Sequence, residues 1–213
     1  MNVTLLITAL IGYVLGSIPM AWIALRLHSG RDIRNEGTGN IGAHNTFDVT
    51  GAKWLAVAVG IADAAKGCAA ILIVRFLHGD WFAALAVAGT AAIVGHCYSV
   101  LMRFKGGRGL ATAVGVFAVV APFFLLLWGV TYLTGYYVIR RHIYVGAVTA
   151  TIATAALAWS TPDGVLTTAS IFPIYDADQM RYFVAACSFV IFLKHIEPLR
   201  ELLRSDPPAT DDE

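Results

Sequence analysis

Long apolar stretches separated by short polar ones run the length of this chain. They cover roughly residues 3–25, 54–77, 81–102, 110–121, 122–139, 143–160 and 180–195. A membrane-crossing helix needs about 20 apolar residues, or about 17 at the short end. The pattern therefore predicts an all-α polytopic membrane protein of about seven transmembrane helices. Residues 110–139 are too long for one comfortable crossing and short for two. Pro122 lies where a break is expected, because proline lacks the N–H that a helix interior requires. Residues 1–204 read as a single helical membrane domain. The polar, proline-bearing tail 205–213 reads as disordered. No internal repeat is visible.

Composition agrees. The chain is 58% hydrophobic and 14% charged, with a mean hydropathy of +0.69, whereas soluble domains are about a quarter charged. A net charge of +1 gives no electrostatic footprint for nucleic acid. Cys68, Cys97 and Cys187 lie in apolar stretches without metal spacing and read as small core residues. No basic region precedes the first apolar run, which reads as a retained helix and not a cleaved signal.

The position of the charges adds an orientation. With a break near Pro122 and the N-terminus outside, Arg26, Arg31, Arg34, Lys53, Arg103, Lys105, Arg108, Arg140, Arg141, Lys194, Arg200 and Arg204 lie on the cytoplasmic side. Arg75 and Arg181 lie outside, and Lys66 falls within a crossing. Twelve of the fifteen basic residues then face inward, as the positive-inside rule requires. The C-terminus is cytoplasmic in this arrangement.

Two glycine-rich polar blocks interrupt the apolar pattern on that side. The first is Gly37-Thr38-Gly39-Asn40-Ile41-Gly42-Ala43-His44-Asn45, after Asp32-Ile33-Arg34. The second is Lys105-Gly106-Gly107-Arg108-Gly109-Leu110-Ala111-Thr112. Glycine lets backbone amides approach a ligand, and cations hold phosphate. The first block reads as an ordered, re-entrant functional loop or else a solvated connector. The second lacks the Walker A spacing. It reads as an anion cradle opening a helix or as a basic headgroup anchor.

Asp63 and Lys66 share a helix face at i and i+3, inside a crossing. The reading favoured is a mutual ion pair facing the bundle. His96 reads as a helix–helix hydrogen bonder. His195, at the inner end of the last crossing, suits either a role in the site or interfacial anchoring. No Ser–His–Asp arrangement or metal-ligand cluster is present.

On these residues the chain resembles the bacterial acyl-phosphate:glycerol-3-phosphate acyltransferases. The likeness starts at Gly16-Ser17-Ile18-Pro19 and runs through Asp32-Ile33-Arg34, the first glycine block, Asp63, Lys66-Gly67 and Gly95-His96. It continues into Phe104–Thr112 and covers nearly the whole chain. The resemblance implies a seven-span membrane fold in the bacterial inner membrane, with the site facing the cytoplasm. It implies acyl transfer from acyl-phosphate to the 1-hydroxyl of glycerol 3-phosphate, giving lysophosphatidic acid and phosphate, without cofactor or metal. The catalytic residues implied are Thr38, Asn40, Asn45, Lys105 and His195. The substrate-binding residues implied are Arg34, Gly39, His44, Gly106, Gly107, Arg108, Thr112, Arg141 and Tyr144.

The chain departs from the family pattern at several points. Thr38 and His44 replace the usual serine and threonine, and Arg108 replaces a lysine. Tyr144 lies where the family has a serine-bearing segment, Pro198 replaces an asparagine after His195, and Glu201 replaces a basic residue. These departures leave open a paralogue with another acyl acceptor, or a non-catalytic membrane protein that binds lipid or a partner.

Overall fold

The computed structural model describes residues 3–205, and the regular elements among them are all helical. In chain order they are α1 (Val3–Ser17), α2 (Met20–Ser29), α3 (Ala43–Thr50), α4 (Lys53–His78), α5 (Phe82–Cys97) and α6 (Leu110–Val120). There follow α7 (Phe123–Thr134), α8 (Ile143–Ser160), α9 (Asp163–Ala169) and α10 (Ala177–Ser205). Five stretches are long and apolar enough to cross a membrane: Val3–Ser29, Lys53–His78, Phe82–Met102, Ile143–Ser160 and Ala177–Arg204. Leu110–Val120 and Phe123–Ile139 are apolar but shorter.

The break near Pro122 falls where the sequence placed it, with Pro122 capping the start of α7. A second break was not anticipated. The first apolar stretch, read as continuous over 3–25, divides at Ile18-Pro19 into α1 and α2. Proline explains it, since it offers no N–H and restricts the residue before it. The Ile18 carbonyl accepts a hydrogen bond from Lys66 Nζ at 2.8 Å instead. The last helix is also longer than read and runs through Pro198 to Ser205. The tail expected to be disordered lies, from residue 206, outside the described residues.

Small residues set the packing. Gly12 and Gly16 of α1 lie so close to the carbonyls of Ala88 and Ala92 of α5 that a Cβ would collide with them. Gly115 of α6 stands in the same relation to Ala64 of α4. Lipid gives no hydrophobic drive for helices to associate, so such close approach is how they gain contact energy. The core joins α4, α5, α6, α7 and α10 through Ile71, Leu85, Ile93, Val116, Phe124 and Met180. One end of the bundle is pinned by Arg181, which meets Asp163 at 2.6 Å and Asp178 at 2.7 Å. Both glycine-rich blocks lie at the other end.

Candidate active site

The first block is held by its own side chains. Asp32 caps the turn Ile33–Asn35, accepting from the Arg34 amide at 3.1 Å and from Arg34 Nε at 2.9 Å. The guanidinium holds the Asp32 carboxyl well below the usual carboxylate range. Arg34, expected to bind phosphate, thus already has a carboxylate partner. Gly37 and Gly39 turn the chain at φ 56° and 68°, a region that L side chains avoid.

Asn45 sits beneath this turn, 0% exposed. Its Oδ1 accepts from the Thr38 amide at 2.9 Å, and its Nδ2 donates to the carbonyls of Glu36 (3.1 Å) and Asn40 (3.0 Å). Both amide donors are used inside the loop, so Asn45 braces the loop. Thr38 is exposed, and its hydroxyl accepts from the Asn40 amide at 3.4 Å. Gly39 packs near the Arg34 carbonyl.

The second block leans on the end of α5. The Gly107 amide donates to the His96 carbonyl at 3.1 Å, and the Ile41 amide donates to the Gly106 carbonyl at 3.4 Å, which joins the two blocks. A Cβ at Gly106 would strike the His96 and Cys97 carbonyls, and one at Gly107 would strike the His96 ring. These two glycines permit close packing against α5. Arg103 and Phe104, which lead into the block, both adopt left-handed backbone angles, φ 56° and 61°. Such conformations cost roughly 1–3 kcal/mol each and cluster at functional sites. Lys105 is exposed and borders a small recess with Gly106, Lys66 and Ser99.

Between the blocks and α4–α10 lies a cavity of about 230 Å³. Of the residues expected at the site, Asn40, His44, Arg108, Tyr144 and His195 line it. Thr38, Gly39, Arg34, Asn45, Lys105, Gly106, Gly107, Thr112 and Arg141 are not among its lining residues. Thr112 is buried where α6 meets α4, its carbonyl against Gly67. Arg141 is exposed, 5.9 Å from the Tyr137 ring.

Arg108 has no carboxylate partner among the described residues. Its guanidinium lies 4.4 Å over the Tyr144 ring, a cation–π contact that orients the charge without neutralising it. His195 is 1% exposed, with Nδ1 2.8 Å from the Ile191 carbonyl. A carbonyl only accepts, so Nδ1 carries the proton and Nε2 keeps its lone pair. His142 starts α8 by accepting from the Tyr144 amide at 3.3 Å. Burial, and then Arg140, lower its pKa and so favour the neutral ring that can accept.

Asp63 and His96 also line the cavity, a placement the sequence reading did not give them. The Asp63–Lys66 pair is present at 2.7 Å, with side chains 2% and 3% exposed, and His96 Nδ1 lies 3.3 Å from the same Asp63 oxygen. The sequence signal was a charged pair in one crossing and a histidine at matching depth in the next. Tyr132 of α7 completes the wall.

A narrow apolar slot of about 60 Å³ adjoins this cavity. The two share Leu110, and four helices step in the same direction. On α6 Leu110 leads to Ala113 and Phe117, on α7 Tyr132 leads to Trp128 and Phe124, on α8 Ala147 leads to Thr151 and Thr154, and on α10 His195 leads to Ile191 and Val184. A polar chamber lined by Arg108, Asp63 and three histidines thus lies beside an apolar slot inside the bundle.

Residues 6–205 match the family model for glycerol-3-phosphate acyltransferases. The chain belongs to that family. A glycerol-3-phosphate acyltransferase from Anaeromyxobacter sp. (strain K) is 39% identical over 201 residues, covering 92% of each chain. Two crystal structures of PlsY, an integral membrane glycerol 3-phosphate acyltransferase, share the fold. Its glycerol 3-phosphate form aligns with TM-score 0.75 at 31% identity, and its lysophosphatidic acid form with 0.73 at 29%. Each comparison covers 94% of this chain and 92% of PlsY. The all-α polytopic membrane architecture read from hydropathy is therefore that of the family.

Proposed function

We propose that this protein is a membrane glycerol-3-phosphate acyltransferase that takes its acyl group from acyl-phosphate. The observation that carries the reading is the adjacency of the two spaces, since a polar chamber with Arg108 and a bare imidazole nitrogen shares Leu110 with an apolar slot. Lysophosphatidic acid has that same division, one phosphorylated head and one acyl chain, and PlsY has been crystallised with each of glycerol 3-phosphate and this product.

In this reading the acyl tail enters the slot and the phosphates gather near Arg108, with Lys105 exposed beside the neighbouring recess. The 1-hydroxyl oxygen attacks the acyl carbonyl carbon while His195 Nε2 takes its proton. The bond from that carbon to the phosphate oxygen breaks, and inorganic phosphate leaves. An acyl-phosphate is already activated, so the chain has chiefly to orient two anionic substrates and balance their charge. Asn40 and His44 would contact the glycerol, and Asn45 would hold their loop. The charge asymmetry supports seven crossings, with the N-terminus outside and the chamber facing the cytoplasm of a bacterial inner membrane.

A second reading draws on one observation. His44, Arg108 and Tyr144, three positions that depart from the family pattern, line the same chamber. A different phosphorylated polyol as acceptor would explain why they change together.

The test is turnover of purified protein with palmitoyl-phosphate, with and without glycerol 3-phosphate, following phosphate and lysophosphatidic acid. Acceptor-dependent formation of both is the expected result. Phosphate release that glycerol 3-phosphate does not increase favours the second reading. No release from folded protein overturns both.

A further inference from the structure

Phe117 of α6 and Phe124 of α7 line the part of the slot farthest along their helices from the chamber. Phe124 is 2% exposed, and the two rings lie 6.1 Å apart, with Phe183 of α10 5.0 Å from Phe117. The side walls are equally fixed. Trp128 stacks on Tyr132 at 5.2 Å and donates from Nε1 to Thr151 Oγ1 at 3.4 Å. Gly146 leaves room for the Tyr132 ring, which a Cβ would crowd at 2.9 Å.

The depth follows from helix rise. At about 1.5 Å per residue, the step from Leu110 to Phe117 is roughly 10 Å and that from His195 to Val184 roughly 16 Å. A chain entering from the chamber therefore meets the aromatic floor after a defined length. Close-packed interiors do not yield freely to an extra methylene.

We propose that Phe117 and Phe124 form a length gauge that sets the longest acyl chain this enzyme transfers efficiently. The inference rests on the acyltransferase reading above and adds the specificity of the same site. Chains that fit gain buried contact with each added methylene. Longer chains have to displace the aromatic floor or leave part of the tail unburied.

The experiment measures kcat/KM for octanoyl-, lauroyl-, palmitoyl- and stearoyl-phosphate at fixed glycerol 3-phosphate. Phe124→Ala, and the milder Phe124→Leu in case the first destabilises the core, should raise the ratio of the longest to the preferred donor. About tenfold is expected, the scale of two further buried methylenes. Ser188→Phe, which narrows the slot midway along α10, should shift preference toward octanoyl-phosphate. A purely structural role for Phe124 would lower all four donors together and leave the ratios unchanged. Unchanged ratios in folded Phe124→Leu and Ser188→Phe overturn the gauge and indicate a tail that leaves sideways into lipid. Failure of the wild-type protein to use any acyl-phosphate would instead overturn the function itself.

Discussion

Asp63 is a shared partner inside the bundle, because Lys66 and His96 both lean on it. Breaking a buried ion pair from one side costs roughly 3–5 kcal/mol, while replacing both partners costs far less. Asp63→Asn should therefore lower the thermal midpoint in detergent markedly, and Asp63→Asn with Lys66→Met should recover part of the loss. An equally large loss in the double variant would contradict the pairing. The ion pair was legible in the sequence, since two charges three residues apart in a crossing have few other ways to be satisfied. His96's share in it was not, because it depends on how α5 packs on α4. Asn45 shows a second way in which tertiary contacts add to the sequence. Its residue type suits substrate contact, but its hydrogen bonds turn inward.

At the scale of elements, the two glycine blocks act through what their glycines allow to approach. Gly107→Ala should cut turnover roughly tenfold or more, since its Cβ would strike the His96 ring and overpacking costs about 1–3 kcal/mol. Gly129→Ala on α7, with nothing within 4 Å, should leave turnover and fold within about twofold and favour the helix slightly. Equal effects at the two positions would refute this account.

The first loop offers a pH test. The folded Asp32 carboxyl has a depressed pKa because Arg34 grips it. Its contribution is thus fully present above the unfolded value of about 4 and is lost as pH falls through the folded one. Cleavage between residues 30 and 42 by a protease active over this whole range should stay slow as pH falls from 7 to 4 in the wild type. Asp32→Asn should be cut faster throughout that range, and identical rates would show that the pair does not hold the loop. The sequence marked both blocks as special, through their glycine and cation content. It could not show that Gly106 and Gly107 meet α5, because that approach involves backbone atoms from another helix.

For the whole molecule, the proposed orientation makes a prediction about sidedness. In spheroplasts, Asp176→Cys should react with a membrane-impermeant thiol reagent, whereas Arg103→Cys should react only after permeabilisation. The reverse pattern would invert the orientation. The sequence by itself determined the membrane class, the helical content, the break at Pro122 and the family, because hydropathy, proline and glycine act locally and are written in consecutive residues. Tertiary structure alone decided the exclusion of Arg34, Asn45 and Thr112 from the cavity lining, the inclusion of Asp63 and His96, and the slot lined by Phe117 and Phe124. Each of these depends on which faces of separate helices meet at one depth, and in a chain apolar nearly all round, hydropathy does not specify those faces.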